Sequence, residues 1–310
     1  MNLKEFIPRK VAEVQKTVGS GRAISALSGG VDSSVCTVLA WRALGEGLKV
    51  IFIDDGLMRE GEPQEVRAVF GRLGIEVEIV NAQAEFFAAL AGKTDPEDKR
   101  KAFRQTFYSV FGREVKKSGA RFLVQGTIAA DIIETKGGVK TQHNILEQIG
   151  IDPEQGFGFK VVEPIKELFK PDVRKVAKAL GLPESVTRRM PFPGPGLMAR
   201  VLGEVTPERV AIVRAATVIV EREIKKFSPF QAFAVLLNDM GTGIEDGKRK
   251  FGHIIIIRSV ESRDAMTARA TPVPWDALMK MSRRIVKEIP TVTRVAYELT
   301  PKPPATIEYI

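Results

Sequence analysis

Between Leu27 and Val35 the chain reads Ser28-Gly29-Gly30-Val31-Asp32-Ser33-Ser34. Two adjacent glycines leave the backbone bare, with hydroxyls and one carboxylate beside them, between an apolar run and a helical pattern. N–H groups at a helix N-terminus carry the positive end of the helix dipole, and glycine lets an anion come close to them, so this is chemistry suited to phosphate. Ser28, Ser33 and Ser34 can add hydroxyl donors. Asp32 either caps the helix or holds a cation that bridges phosphates. A tight turn with a serine cap is the plain alternative; the strand, loop, helix context argues against it. The spacing is neither GxxxxGKS/T nor GxGxxG. Without the lysine that grips β and γ phosphates, transfer of a γ-phosphoryl group is the less favoured chemistry.

Three other places carry reactive types. Asp131 and Glu134 are paired carboxylates after a strand end, suited to Mg2+ through one or two oxygens. Arg100 lies in a helical pattern, where composition alone reads it as a surface charge. Pro303-Pro304 fixes an extended chain beside Lys302, and a disordered tail is the alternative there. The only cysteine, Cys36, excludes an intrachain disulfide, a redox pair and a cysteine-based zinc cluster, and is expected to be a small buried side chain.

These groups need a scaffold. Ala23–Leu27, Val50–Ile53, Val77–Val80 and Phe122–Val124 are short, mostly β-branched apolar runs, as buried parallel strands are. Helical patterns over Ser33–Leu44, Glu62–Leu73, Ala84–Leu90 and Pro96–Ser118 alternate with them. The alternation predicts an α/β fold, an open parallel sheet with helices on both faces. Pro171–Leu180 reads as one more helix. Pro191 to Gly196 holds three prolines and two glycines, which exclude helix and sheet and mark a boundary nearby. Beyond it, helices over Pro207–Lys226 and Trp275–Lys287, with strands at Ala232–Leu237, His253–Val260 and Val292–Leu299, predict a smaller α+β domain. The expected domains are 1–187 and 188–310.

With 310 residues the chain can bury two cores, and 44% hydrophobic with 27% charged residues is a soluble globular composition. Neither a membrane span nor a signal peptide is legible, so a cytoplasmic protein is expected. The net charge of +9 favours an anionic partner without choosing between a polyanion and a small phosphorylated ligand.

Ser28 to Ser33 resembles the SGGxDS signature of the PP-loop ATP pyrophosphatases, of the adenine nucleotide alpha hydrolase-like fold. Further stretches are similar, in order, to the synthetase part of the GMP synthetase family: Asp95–Lys101, Val124–Thr135, Glu163–Pro183, Met190–Val205 and Lys302–Glu308. The resemblance implies a PP-loop domain followed by a dimerisation domain, with ATP and Mg2+ as cofactors. The implied reaction adenylates the C2 oxygen of XMP, releases pyrophosphate, and lets ammonia displace AMP. It implies ATP contacts at Ser28, Gly29, Gly30, Val31, Asp32, Ser33, Ser34, Gly126 and Thr127, and metal at Asp32, Asp131 and Glu134. Asp32, Lys166 and Lys170 would be catalytic, the two lysines near pyrophosphate. Arg100, Gln231, Asp246, Lys302, Ile307 and Glu308 would hold XMP. A lid is implied over about Glu134–Lys160, with Lys140 toward phosphate.

Departures from the family pattern are Asp55 for Asn, Ala130 for Pro, Thr135 for Ser, Gln142 for His, and Glu245-Asp246-Gly247-Lys248 in place of a Gly-Asp pair followed by Arg. They bear on the acceptor more than on adenylation. No glutaminase domain precedes the loop, so ammonia is expected from solution or from a separate glutaminase subunit. A homodimer is implied, with a partner chain completing the site at the C-terminal tail. Two other classes stand beside this one: a PP-loop enzyme acting on tRNA, mildly supported by the charge but lacking a basic module interleaved with aromatics, and a diverged nucleotide-binding regulator.

Overall fold

In the computed structural model residues 1–136, 160–263 and 265–310 are described, those from 133 to 136 by backbone alone. They form two compact units: 1–54, 61–82 and 104–189 in the first, and 55–60, 83–103 and 190–310 in the second.

The first unit is built on a sheet of five parallel strands: β1 (Ala23–Leu27), β2 (Leu48–Asp54), β3 (Glu78–Asn81), β4 (Phe122–Val124) and β5 (Lys160–Val162). Their order is β3-β2-β1-β4-β5. β1 and β2 are nearly continuous apolar runs because both faces are covered, and Ile24, Ile51 and Phe52 are wholly inaccessible. Helix α1 (Leu3–Val18) precedes β1 and α2 (Val31–Leu44) follows it. α2 buries eight of its residues, Cys36 among them, as a helix against a sheet must. Then come α3 (Glu62–Gly71), α4 (Gln83–Leu90), α5 (Pro96–Ser118), α6 (Ala129–Lys136), α7 (Lys170–Ala179) and the single-turn α8 (Glu184–Thr187). Of these, α4 and the first turns of α5 belong to the second unit.

The winding of the sheet locates the chemistry. From β1 the chain moves outward to β2 and β3, then returns to the other side of β1 as β4. Neighbouring crossovers therefore leave β1 and β4 in opposite directions and open a crevice at their carboxyl ends, where ligands bind in open α/β sheets. Ser28 directly follows β1, and Gln125-Gly126-Thr127 directly follows β4.

The second unit packs α9 (Pro207–Ile224) and α10 (Trp275–Glu288) with a four-stranded sheet: β6 (Gln231–Glu245), β7 (Lys248–Glu261), β8 (Arg269–Ala270) and β9 (Val292–Tyr297). Thr206 caps α9 by accepting the Arg209 N–H at 3.3 Å, with Pro207 at the first helical position. β6 and β7 run far past the expected strands, into a Gly-rich stretch with no apolar alternation. Gly241, Gly243 and Gly252 explain this, because a Cβ on any of them would press on Thr293 or Arg294 of β9. The opposite face of the same ribbon carries Met240, Ile244 and Phe251, all exposed. A second difference is at the proline-rich segment, where a 3-10 helix begins at Gly196 and runs to Arg200. Among the described residues no helix is long and apolar enough to cross a membrane.

The C-terminal tail is tied to its own unit. Arg258 of β7, wholly buried, donates to the carbonyls of Thr300 (2.7 Å) and Thr306 (3.0 Å) and pairs with Glu298 at 3.6 Å. Ile307 packs among Phe233, Val235, Val260 and Ala268. The own chain thus supplies the anchoring that a tail needs. Arg258→Leu should destabilise the protein by about 2–4 kcal/mol, because two carbonyls and a carboxylate lose their donor. Denaturant unfolding and faster proteolysis near residue 300 would check it.

Candidate active site

In the first unit, the loop after β1 is organised by its own hydroxyls. Ser28 Oγ and Ser33 Oγ lie 3.0 Å apart, Ser33 Oγ also accepts the Ser28 N–H at 3.3 Å, and Ser33 and Ser34 hydroxyls both donate to the Gly30 carbonyl. Gly30 caps α2 with no side-chain hydrogen bond, so the first-turn N–H groups at Val31, Asp32 and Ser33 are left for a ligand. Gly29 has a φ of +72°, a backbone region that favours glycine.

Gly126 is needed for a different reason: a Cβ there would lie 2.8 Å from the Ser33 nitrogen and 3.0 Å from the Asp32 carbonyl carbon. The end of β4 thus rests on the first turn of α2. Of the six described side-chain polar atoms in this unit that are buried without a hydrogen-bond partner, three, Asp32 Oδ1, Gln125 Oε1 and Thr127 Oγ1, lie just past the ends of β1 and β4. Buried polar atoms in native folds are ordinarily paired, so three unpaired ones clustered at these strand ends make this the candidate site. Asp32 Oδ2 accepts from the Lys170 ammonium, at the start of α7. Lys166 is an exposed turn residue after β5. Asp131 accepts the Ile128 N–H at 2.9 Å in the first turn of α6. The side chain of Glu134 lies outside the described residues, as do Lys140, Gln142 and most of the expected lid.

Among the described residues no three His, Cys, Asp or Glu side chains gather as a metal cage. Magnesium at a phosphate site needs only one or two carboxylates, and the buried, unpaired Asp32 Oδ1 fits that demand. Cys36 is buried in the core of α2, and burial, with Asp32 and Glu163 nearby, pushes its thiol well above the ordinary range. It is an inert packing residue, as expected.

Sequence reasoning missed two groups at this loop. Arg189 donates to the Gly29 carbonyl at 3.1 Å and pairs with Glu62 at 2.6 Å, and the Glu62 side chain is only 1% exposed. The sole signal in the sequence was a charge beside the proline-rich segment.

In the second unit, Gln231, Glu308 and the unforeseen Arg200 come together. Arg200 makes a bidentate pair with Glu308, at 3.0 and 2.9 Å, and lies 4.0 Å from the Phe233 ring centroid. Gln231 donates to the same carboxylate and, at 3.3 Å, to the Pro191 carbonyl. Lys302 donates to the Ala265 carbonyl at 2.8 Å. Arg100 pairs with Glu97 at 2.5 Å, while its neighbour Lys99 is wholly buried, donating to the carbonyls of Val201 (2.9 Å) and Gly203 (3.0 Å). Ile307 gives its side chain to the core.

Asp246 stands apart from this group. It and Gly247 have φ of 50° and 74°, the two-residue turn that joins β6 to β7. On the order of 40 Å of strand separates it from Gln231, so within one chain the two do not meet at one nucleotide. Turn chemistry accounts for the departure at Glu245 to Lys248. Asp55 likewise accepts the Leu57 N–H at 2.8 Å, a contact that Asn makes equally well.

Comparison with known proteins bears on both units. Residues 2–195 match the NAD synthase family model and residues 219–309 the GMP synthase C terminal domain model. A glutamine-hydrolyzing GMP synthase subunit of Methanoregula boonei is 53% identical over 307 residues, 99% of this chain and 98% of that one. The chain belongs to this GMP synthase subunit family. The corresponding subunit from Archaeoglobus fulgidus is 49% identical over the full length of both chains, and that from Thermococcus kodakarensis 51% over 99% of each. Membership in the GMP synthase family makes the chain an ATP-dependent carbon–nitrogen ligase.

Gly126→Ala should weaken Mg-ATP binding at least tenfold, because the added methyl displaces the first turn of α2; isothermal calorimetry would check it. Burial, ahead of repulsion from Arg209, lowers the Lys99 ammonium from 10.5 to about 8. Between those values the unfolded chain holds the proton that the folded one has released. Wild type should therefore gain stability relative to Lys99→Met as pH rises from 8 to 10.5, measured by urea unfolding.

Proposed function

We propose that this chain is the synthetase subunit that converts XMP to GMP. The observation that carries the reading is identity of 49% to 53% with GMP synthase relatives through both units. The same full-length identity disfavours a tRNA acceptor or a regulator.

The geometry supplies a mechanism. ATP places its β and γ phosphates on the N–H groups after Gly30, where the α2 dipole is positive. The α-phosphorus is then the electrophile. The C2 oxygen of XMP attacks it, the new O–P bond forms as the bond to pyrophosphate breaks, and the Lys170 ammonium balances charge on the departing group. Ammonia then attacks C2, AMP leaves with the oxygen, and the surplus proton passes to solvent. A ring oxygen alone is a poor leaving group; as part of AMP it is a good one. Magnesium, when bound, neutralises phosphate charge; Asp32 would hold it, with Asp131 and Glu134 as further ligands. Arg100, Gln231, Lys302 and Glu308 hold XMP, Glu308 oriented by Arg200.

The relatives are named as one subunit of a glutamine-hydrolyzing enzyme, which supports a separate glutaminase partner that delivers ammonia. The exposed face of the β6–β7 ribbon, with Met240, Ile244 and Phe251, supports a homodimer that covers it. Chemistry on free nucleotides suits the cytoplasm.

Incubating the chain with Mg-ATP, XMP and ammonium should yield GMP, AMP and pyrophosphate in equal amounts, followed by chromatography. Pyrophosphate without GMP would refute XMP as acceptor. Asp32→Asn and Lys170→Ala should each lower kcat at least 100-fold.

A further inference from the structure

Glu62 and Arg189 are far apart in sequence, no motif includes them as a pair, and they meet beneath the loop after β1. The Arg189 guanidinium faces three groups there: the Gly29 carbonyl at 3.1 Å, Glu62 at 2.6 Å and Glu65 at 3.7 Å. Glu62 is nearly inaccessible and Arg189 mostly so, with side-chain exposures of 1% and 16%. A Cβ on Gly29 would lie 2.3 Å from Glu62 Oε1 and 2.9 Å from Arg189 Nη1, so the pair is built against the loop backbone itself.

Two physical consequences follow. A peptide unit is planar, with C=O and N–H pointing in opposite directions. Holding the Gly29 carbonyl toward Arg189 therefore turns the Gly30 N–H to the other side, toward Ser28 Oγ at 3.4 Å, where the hydroxyls stand. The second consequence is electrostatic. A buried carboxylate under a phosphate-binding loop repels the ligand unless it is neutralised, and here one guanidinium nitrogen contacts both Glu62 and the Gly29 oxygen.

We infer that Arg189 and Glu62 are positioning residues for ATP: the pair fixes the Gly29–Gly30 peptide so that its N–H holds the Ser28 hydroxyl on the phosphate side of the loop, and Arg189 neutralises the Glu62 charge beneath the polyanion. The inference rests on the reading of the loop as an ATP site. It does not depend on the acceptor, because its measure is Mg-ATP affinity, whereas XMP as acceptor stands or falls on GMP formation by the wild type.

The test is calorimetric titration of Mg-ATP into four forms of the full chain: wild type, Arg189→Lys, Arg189→Gln, and Arg189→Gln with Glu62→Gln. Thermal melting and the KM for XMP are recorded alongside. Arg189→Gln should weaken Mg-ATP at least tenfold and Arg189→Lys, which keeps the charge but loses the fork, about three- to tenfold. The double variant should bind more tightly than Arg189→Gln alone, since the unmasked carboxylate is gone; that non-additivity is the signature of the pair. KM for XMP should stay within twofold throughout. A staple of the fold alone would lower the melting temperature and leave Mg-ATP affinity at the wild-type value. That result, in Arg189→Gln or, if it does not fold, in Arg189→Lys, overturns the inference, as does a double variant no better than the single.

Discussion

Phosphate can be held by backbone N–H groups only where those groups are not already spent and nothing bulky stands before them. Much of the first unit satisfies that one constraint. The reversal of strand order beside β1 opens the crevice, the uncapped start of α2 leaves its N–H groups available, and Gly126 lets β4 close against the same turn. Asp32 and Lys170 then meet there as a pair, so the resting loop is close to neutral and polyphosphate does not face a bare carboxylate.

The parts of this arrangement that are local in sequence were legible as sequence. β1 and β2 stood out because strands buried on both faces are uninterrupted apolar runs, and the loop stood out because adjacent glycines before a helical pattern have few other uses. β5 did not, since Lys160-Val161-Val162 holds only two apolar residues after a charge and has no apolar run to mark it. The outer half of the β6–β7 ribbon was hidden for another reason: it is made flat against Thr293 and Arg294 by glycines, which ordinarily argue against a strand. Arg189 with Glu62, and Arg200 with Glu308, were invisible because each joins residues remote along the chain, and a lone charge reads as solvated until its partner is known.

The second unit turns arginine to an unusual use. Arg200 and Arg258 are both sealed from solvent, one holding Glu308 and the other the carbonyls of the tail. Buried charges are costly when their partners are removed, so these contacts tie the last residues to one path more strictly than apolar packing would. On the proposed reading, in which Lys302 and Glu308 hold XMP, the tail benefits from that strictness. Lys99 plays the same part for the start of α5, where its ammonium is met only by carbonyls.

The second unit is assembled from three separate stretches of chain, 55–60, 83–103 and 190–310. On a ribosome the first two emerge well before the third. Until then Lys99 lacks the Val201 and Gly203 carbonyls. The nascent N-terminal portion therefore leaves the exit tunnel with a buried-to-be ammonium whose acceptors are still unmade. Vectorial synthesis thus leaves the second unit unfinished until its last stretch emerges, and a fragment cut at residue 189 would lack that stretch altogether.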